Sequence, residues 1–567
     1  MSKVFVLGLD GATPDVVNGM IASGELPTFA RLRERGASGA LQSTLPAISP
    51  PAWTTFATGK NPGKHGIVGF TRMMCSQYRM RLVTGADNRA QTLWDLLGAR
   101  GKRVIVVNVP MTYPPRPVNG LLVTGLDTPG LHVDFTHPRE LKRELLGVVP
   151  DYTINLHLGG YLQSDRSRQR ALGMILSSID ARHRAVKHLM GAHPWDFFVV
   201  RFNNPDVAQH HYWKYMDPSH PDFSPHAAAD LRGAIAEVYR RLDAVAADLL
   251  QRLDADTTLV VLSDHGAGPR INKAILLNEW LCERGYLARR DPAADGRRGL
   301  GGLRDALAGP ARRVLAFATP QLKVRLKRLF PVWFARMSLL VKFSAGLGTI
   351  DWARTAAFYA EEDGLRLHVK GRYPAGVVEP ADYEPLRARL IAELEGLRDP
   401  DGGEPLFERV RRREEAYRGP CAEELPDILL LTRGSLYDIS GQLSPMGRKQ
   451  GGFVRKQPNW NGANGRHRPE GVLFLHGPGV REGAELTKAA LPDLFPTILH
   501  TLGLPIPTDV DGRVLSEAFE EAFLERVPVR WEKAEGVEFR DVDGREIYTD
   551  EEQMEVLSHL KGLGYIE

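Results

Sequence analysis

Six short runs built almost wholly from aliphatic, aromatic and β-branched residues constrain this chain most. They are Val4 to Leu9, Val104 to Val109, Phe197 to Phe202, Thr258 to Leu262, Ile428 to Leu431 and Val472 to Leu475. A strand with one wet face alternates apolar and polar side chains, whereas a run without alternation must be covered on both faces. Stretches with helical periodicity lie between the runs, at Pro27 to Glu34, Leu231 to Arg252 and Tyr383 to Leu397. In the second of these, apolar residues recur every three or four positions with charges between them. The expected fold class is therefore α/β, a mainly parallel central sheet flanked by helices on both faces. Open sheets of this kind bind their ligands beyond the carboxyl ends of the strands.

At 567 residues the chain exceeds one ordinary core. The expected division is a catalytic core in two parts, 1–285 and 351–519, a helical basic insertion or cap at 286–350, and a C-terminal helical tail at 520–567. The insertion carries ARR, GRRG, ARRV and VRLKRLF beside the apolar run FPVWFARMSLLVKF. Its cations are either simply solvated or meet an anionic substrate or phospholipid headgroups. The tail reads as one helix packed on the outside. A net charge of +4 is small for this length and argues against nucleic-acid binding by the whole surface. Cys75, Cys282 and Cys421 are few, odd in number and far apart, which argues against a disulfide framework and for a reducing compartment. MSKVFVLGLDG runs straight into a strand pattern, and no uninterrupted apolar stretch is long enough to span a bilayer. The expected location is the cytoplasm, with peripheral attachment to the inner membrane face through 286–350 as the alternative.

Five short segments carry the side chains that bind divalent metals. Asp10 ends the first strand in VLGLDG, where Gly11 lets the backbone turn and leaves the carboxylate facing the crevice. Ser49 lies in ISPPAW, and the two following prolines hold its hydroxyl on a stiff approach to a helix. Thr44, Thr54, Thr55 and Thr58 are competing hydroxyls that composition does not separate from it. Asp206 and His210 stand four apart in NNPDVAQH, on one face of a helix, a good half-site for zinc. Asp264 and His265 follow a strand in VLSDHG, and His467 stands alone in the loop-like GRHRPEG. His211, next to His210, points elsewhere on a helix, and His65 and His476 are read as structural. Three Asp, three His and one hydroxyl are about what two adjacent ions and a nucleophile require.

Taken together, the motifs resemble the alkaline-phosphatase superfamily, in particular its type I phosphodiesterase/nucleotide pyrophosphatase branch and related predicted phosphohydrolases and phosphomutases. The carrying motifs are LGLDG, the block P-x-x-S-P-P-A-W-T-T-F-A-T-G-x-x-P-x-x-H-G-I, PDxxxH, SDHG and GxHRPEG, in the family's order. The resemblance implies that Asp206, His210 and His467 hold one ion and that Asp10, Asp264 and His265 hold the other. It implies Ser49 as nucleophile, since Ser49 falls nine residues before Thr58 and Gly59. Zinc is the favoured ion, manganese the second candidate. The implied activity is hydrolysis of a small-molecule phosphate ester, as a phosphodiesterase, through a phosphoserine and with net retention at phosphorus.

The chain departs from that pattern in one place. Family pyrophosphatases usually carry an Asn soon after the HGI block, and here HGIVGFTR puts Phe70 in the slot. Lys60, Asn61 and Phe70 are therefore the candidate substrate-binding residues, and the choice between monoester and diester stays open. A phosphomutase or phosphomonoesterase would use the same ligands. A sulfatase would need Arg where Trp53 stands. A non-catalytic phosphate- or lipid-binding module would not need every ligand position filled. The oligomeric state stays open.

Overall fold

The computed structural model describes residues 2–158, 160–290, 347–360, 364–443, 452–456, 463–534 and 547–565. Most of the basic insertion expected at 286–350 lies outside the described residues. A nine-stranded sheet forms the centre, from β1 (Lys3–Leu9), β2 (Ala37–Gln42), β3 (Val104–Val107), β4 (Gly120–Val123), β5 (Thr136–His137), β6 (Phe197–Phe202), β7 (Thr257–Leu262), β8 (Glu470–His476) and β9 (Ala484–Ala490). Their spatial order is β9-β2-β8-β7-β1-β6-β3-β4-β5. The five strands β7-β1-β6-β3-β4 run parallel, while β8 runs antiparallel to both β2 and β7. This is the mainly parallel α/β sheet that the apolar runs imply. Phe5, Leu7 and Leu9 of β1 enter a core on one face, and Val4 and Val6 enter another on the opposite face, so both faces are covered.

Register decides what the sheet presents. Leu9 of β1 lies beside Phe202 of β6, and Gly8 beside Leu262 of β7. The chain therefore leaves three neighbouring strands at one level, next to Asp10, Asn203 and Ser263, all on the carboxyl edge. Two of the apolar runs behave in ways that apolarity alone does not specify. The run at 472–475 sits in β8 with reversed direction. The run at 428–431 forms Ile428–Thr432 in a separate four-stranded antiparallel sheet with Ala357–Tyr359, Gly364–Leu367 and Phe407–Arg412. Leu390 and Leu394 of the helix Tyr383–Glu395 join that sheet's apolar core.

The end of the chain also differs from the sequence reading. The helix Asp550–Leu563 does not merely lie on the outside: Val556, Leu557, Leu560 and Leu563 are buried in the main core. Earlier in the tail, Trp531–Glu532 pairs with Ile506–Pro507. Among the described residues, no helix is long and apolar enough to cross a membrane.

Candidate metal centre

Asp10 is the first residue past β1, and its environment is built to hold a buried carboxylate. Gly11 takes φ +71°, and a Cβ there would fall 2.7 Å from Cβ of Asp206, so only glycine lets the two loops touch. The Asp206 amide donates to the Asp10 carbonyl at 3.0 Å and ties the loops after β1 and β6 together. The indole Nε1 of Trp53 donates to Asp10 Oδ2 at 2.9 Å, and Arg201 Nε donates to the same oxygen. Arg201 is only 1% exposed. Burial disfavours its charge, but Asp10 beside it more than compensates and raises its pKa.

Ser49 opens the fully buried helix Ser49–Thr58, with Ile48 in extended conformation as the N-cap. Its Oγ lies 3.5 Å from Asp10 Oδ1 and 3.4 Å from His265 Nε2. The competing hydroxyls are engaged elsewhere. Thr44 donates to the Pro46 carbonyl, Thr54 to that of Pro50, Thr58 to that of Thr54, and Thr55 bonds His65. Of these five hydroxyls, Ser49 Oγ is the one that lies beside Asp10 and His265. Pro50 and Pro51 also remove two of the amides that a helix N-terminus normally offers to an anion.

Two triads flank this hydroxyl. Asp10, Asp264 and His265 form one, all buried; Asp206, His210 and His467 form the other. His265 Nε2 stands 3.7 Å from Asp10 Oδ1 and 3.4 Å from Asp264 Oδ2. Asp206 Oδ1 stands 3.4 Å from His210 Nε2 and 3.3 Å from His467 Nε2, and the two imidazole nitrogens are 2.9 Å apart. His467 is not in a loop. It lies in Gly465–Arg468, paired antiparallel with Gly266–Pro269 and opposite Ala267, so backbone pairing brings it beside His265. The His265 and His467 ring centroids are 3.9 Å apart.

These residues fit divalent ions. Ligands at about 2.0–2.1 Å from a tetrahedral ion lie roughly 3.3 Å from one another, close to the carboxylate–imidazole separations seen. Among the described residues, both Asp206 oxygens and Asp264 Oδ2 are buried without a hydrogen-bond partner, which is costly unless a cation satisfies them. The tautomers agree. His210 Nδ1 faces the Gly465 carbonyl at 3.0 Å and His265 Nδ1 the Gly266 carbonyl at 3.0 Å. A carbonyl only accepts, so Nδ1 carries the proton in each, and Nε2 is the atom turned to the triad.

Charge is unevenly shared. Burial lowers the pKa of His467 to about 3, helped by His265, and burial likewise lowers that of His210. Burial would raise Asp206, but His210 and His467 hold it below the usual carboxylate range. Burial and then the Asp10 carboxylate push Asp264 up. His265 is raised, since Asp264 and Asp10 outweigh its own burial. A metal entering there displaces that proton.

A third cluster, Glu144 with His188 and His193, behaves differently. Both Nε2 atoms lie 2.7 Å from the same Glu144 oxygen. That is hydrogen-bond length, and the three groups satisfy one another as a tie between helices Leu141–Val148 and Asp165–Ala192.

Of the candidate substrate-binding residues, Lys60 and Asn61 do not join the centre. They follow the far end of the helix Ser49–Thr58, about 15 Å along its axis from Ser49. Lys60 pairs with Asp509, and Asn61 bonds Asp511 and caps the helix Pro62–His65. Phe70 does approach, through its stacking on Tyr565. The sequence reading missed Trp53, Arg201 and Tyr565. Trp53 stands inside the motif block with no contact to Asp10 assigned to it, and Arg201 shows as the single charge in an otherwise apolar strand. His65 bonds Thr55 and Ile67, and His476 donates to the Arg35 carbonyl, so both are structural as expected.

Comparison with known proteins bears on the fold and the family. The fold is shared with phosphonoacetate hydrolase from Sinorhizobium meliloti 1021, solved in complex with phosphonoformate, at 16% identity and a TM-score of 0.51 over 87% of this chain and 94% of that one. Murine ectonucleotide pyrophosphatase/phosphodiesterase 5 is also similar, at 12% identity and a TM-score of 0.48 over 91% of this chain and all of that one. No curated sequence matches the chain. The family model for type I phosphodiesterase / nucleotide pyrophosphatase matches residues 4–453, most of the chain, and the protein belongs to that family.

Proposed function

We propose that the protein is a metal-dependent phosphodiesterase that cleaves phosphate esters through attack by Ser49 and a phosphoserine intermediate. The observation that carries this reading is the place of Ser49 Oγ, 3.5 Å from Asp10 and 3.4 Å from His265, at the edge of a triad in which Asp264 Oδ2 has no hydrogen-bond partner among the described residues. Asp10, Asp264 and His265 would hold one ion, and Asp206, His210 and His467 the other. Three imidazoles favour zinc, with manganese second. When bound, the ions supply positive charge that acidifies the attacking alcohol and water and stabilises the phosphoryl oxygens.

The chain does the rest. The first turn of the helix Ser49–Thr58 fixes the hydroxyl, and the positive end of its dipole favours the alkoxide. The hydroxyl proton passes to solvent as the Ser49 Oγ–P bond forms, while the bond from phosphorus to the leaving alcohol oxygen breaks and that oxygen takes up a proton from water. Water then attacks phosphorus, the Oγ–P bond breaks, and Ser49 recovers a proton. Two in-line displacements give net retention. Trp53 and Arg201 keep Asp10 from moving between these steps.

A panel of bis(4-nitrophenyl) phosphate, 4-nitrophenyl phosphate, a pyrophosphate and a phosphonate, assayed with zinc- or manganese-loaded protein, tests the reading. The expected outcome is turnover, fastest on the diester, that Ser49→Ala abolishes while metal content stays the same. Preference for the monoester would move the reading to a phosphomonoesterase, and preference for the phosphonate to a phosphonate hydrolase. An unchanged rate in Ser49→Ala would remove the phosphoserine.

A further inference from the structure

The described tail ends inside the site rather than on the surface. The helix Asp550–Leu563 is anchored by four buried apolar residues, and His559 Nε2 donates to the Leu126 carbonyl at 3.1 Å. Gly564 then takes φ +91°, a left-handed conformation that reverses the chain, and the Tyr565 amide returns to the Leu560 carbonyl at 3.0 Å. This turn lays the Tyr565 ring on Phe70, with centroids 5.3 Å apart and planes 15° apart. The same ring meets His210 edge-on at 5.7 Å and lies 6.0 Å from His467. It therefore roofs the triad of Asp206, His210 and His467.

The hydroxyl is the informative atom. Among the described residues, buried Tyr565 Oη meets no partner in good hydrogen-bond geometry, although its ring is partly exposed. The charged groups acting on it are Asp206, Asp10 and Arg201, all beside the centre, and the Asp206 carboxylate is near enough to compete for its hydrogen. A buried phenol without a partner is disfavoured, and such groups in native proteins are usually satisfied by a ligand, a water or an ion. Asp206 is already claimed by the cation its triad is built for. A phenol O–H is a donor, and the ligand this site accepts is rich in acceptor oxygens.

We propose that Tyr565 donates its hydroxyl hydrogen to a non-bridging oxygen of the phosphate ester bound at the two triads, so that the C-terminal tail supplies a substrate-binding residue. This rests on the phosphoester reading above. Phe70 is then a positioning residue whose ring sets the plane of Tyr565. Pro50 and Pro51 have removed two helix amides that could otherwise bind the same oxygens, which leaves a donor from elsewhere to fill the role.

The experiment compares wild type with Tyr565→Phe, which keeps the ring and its stacking, in zinc-loaded full-length protein. Three quantities are read: metal per chain, kcat/KM on bis(4-nitrophenyl) phosphate, and affinity for inorganic phosphate by calorimetry. Loss of one hydrogen bond to a charged acceptor predicts about 10- to 100-fold lower kcat/KM and weaker phosphate binding, with metal content unchanged. Phe70→Leu should give a smaller loss of the same kind. Wild-type phosphate affinity and kcat/KM in Tyr565→Phe would overturn the proposal. So would a loss of metal, because the hydroxyl would then serve Asp206. If wild type turns over no ester, the phosphodiesterase reading fails, and phosphate affinity alone then decides for or against Tyr565.

Discussion

At the scale of single residues, Arg201 is where a buried charge was accepted in order to hold another. Its guanidinium is 1% exposed and sits on Asp10, which also receives the Trp53 indole. Removing one member of a buried pair leaves the other uncompensated. Arg201→Met should therefore destabilise the metal-free protein by about 3–5 kcal/mol, read as a lower denaturation midpoint. Metal should recover part of that loss by taking over the charge of Asp10. If Arg201→Met unfolds like wild type, Asp10 is not relying on the guanidinium. Asp206 offers a sharper probe. Asp206→Asn keeps the volume but replaces a carboxylate whose two oxygens have no hydrogen-bond partner among the described residues. Metal content should fall from about two ions to about one per chain, measurable by atomic absorption on dialysed protein. Retention of both ions would show that Asp206 is not a ligand.

At the scale of elements, the helix Asp550–Leu563 carries a pH sensitivity of its own. His559 on this helix is buried, its Nδ1 has no hydrogen-bond partner among the described residues, and its ring lies 6.0 Å from that of His157. Burial lowers its pKa to about 4, against an unperturbed value of about 6.5. Between those values the undocked tail holds more protons than the docked one, so docking weakens as pH falls through this window and is complete above it. Hydrogen exchange at pH 7 and pH 5 should show protection of 550–565 falling well before that of the central strands. His559→Gln should flatten the difference. Equal loss of protection across the whole chain at pH 5 would argue against a tail that undocks separately. Because Tyr565 ends this element, activity should fall with the tail's protection.

At the scale of the molecule, the centre joins the loops after β1, β6 and β7 to the helix that begins at Ser49 and to the strand Gly465–Arg468. Ions bound there favour the folded chain alone, by about 2.7 kcal/mol for each at 100 times its Kd. A chelator should accordingly lower the melting temperature, and zinc should restore it. The Asp206→Asn chain should show a smaller response than wild type. A melting temperature indifferent to chelation would mean that the two triads do not hold ions in solution.

Much of this centre could be read without coordinates because its chemistry is local. A carboxylate that ends an apolar strand, a serine stiffened by prolines, and an Asp and a His one helical turn apart each announce themselves in a few residues. The α/β class followed from runs that no half-wet sheet could tolerate. Direction, register and long-range approach were not available from such windows. An apolar run serves a parallel strand, the antiparallel β8, or the separate sheet of Ile428–Thr432 equally well, because burial constrains side chains and not chain direction. His467 joined the triads only through backbone pairing opposite Ala267, and Ser49 was separated from four threonines only by where their hydroxyls bond. Arg201 and Tyr565 mark the same limit. The free energy that places a buried cation beside Asp10, or a tail phenol above His210, comes from contacts between residues far apart in the chain; the lone charge in FFVVRF marks Arg201 without naming its partner.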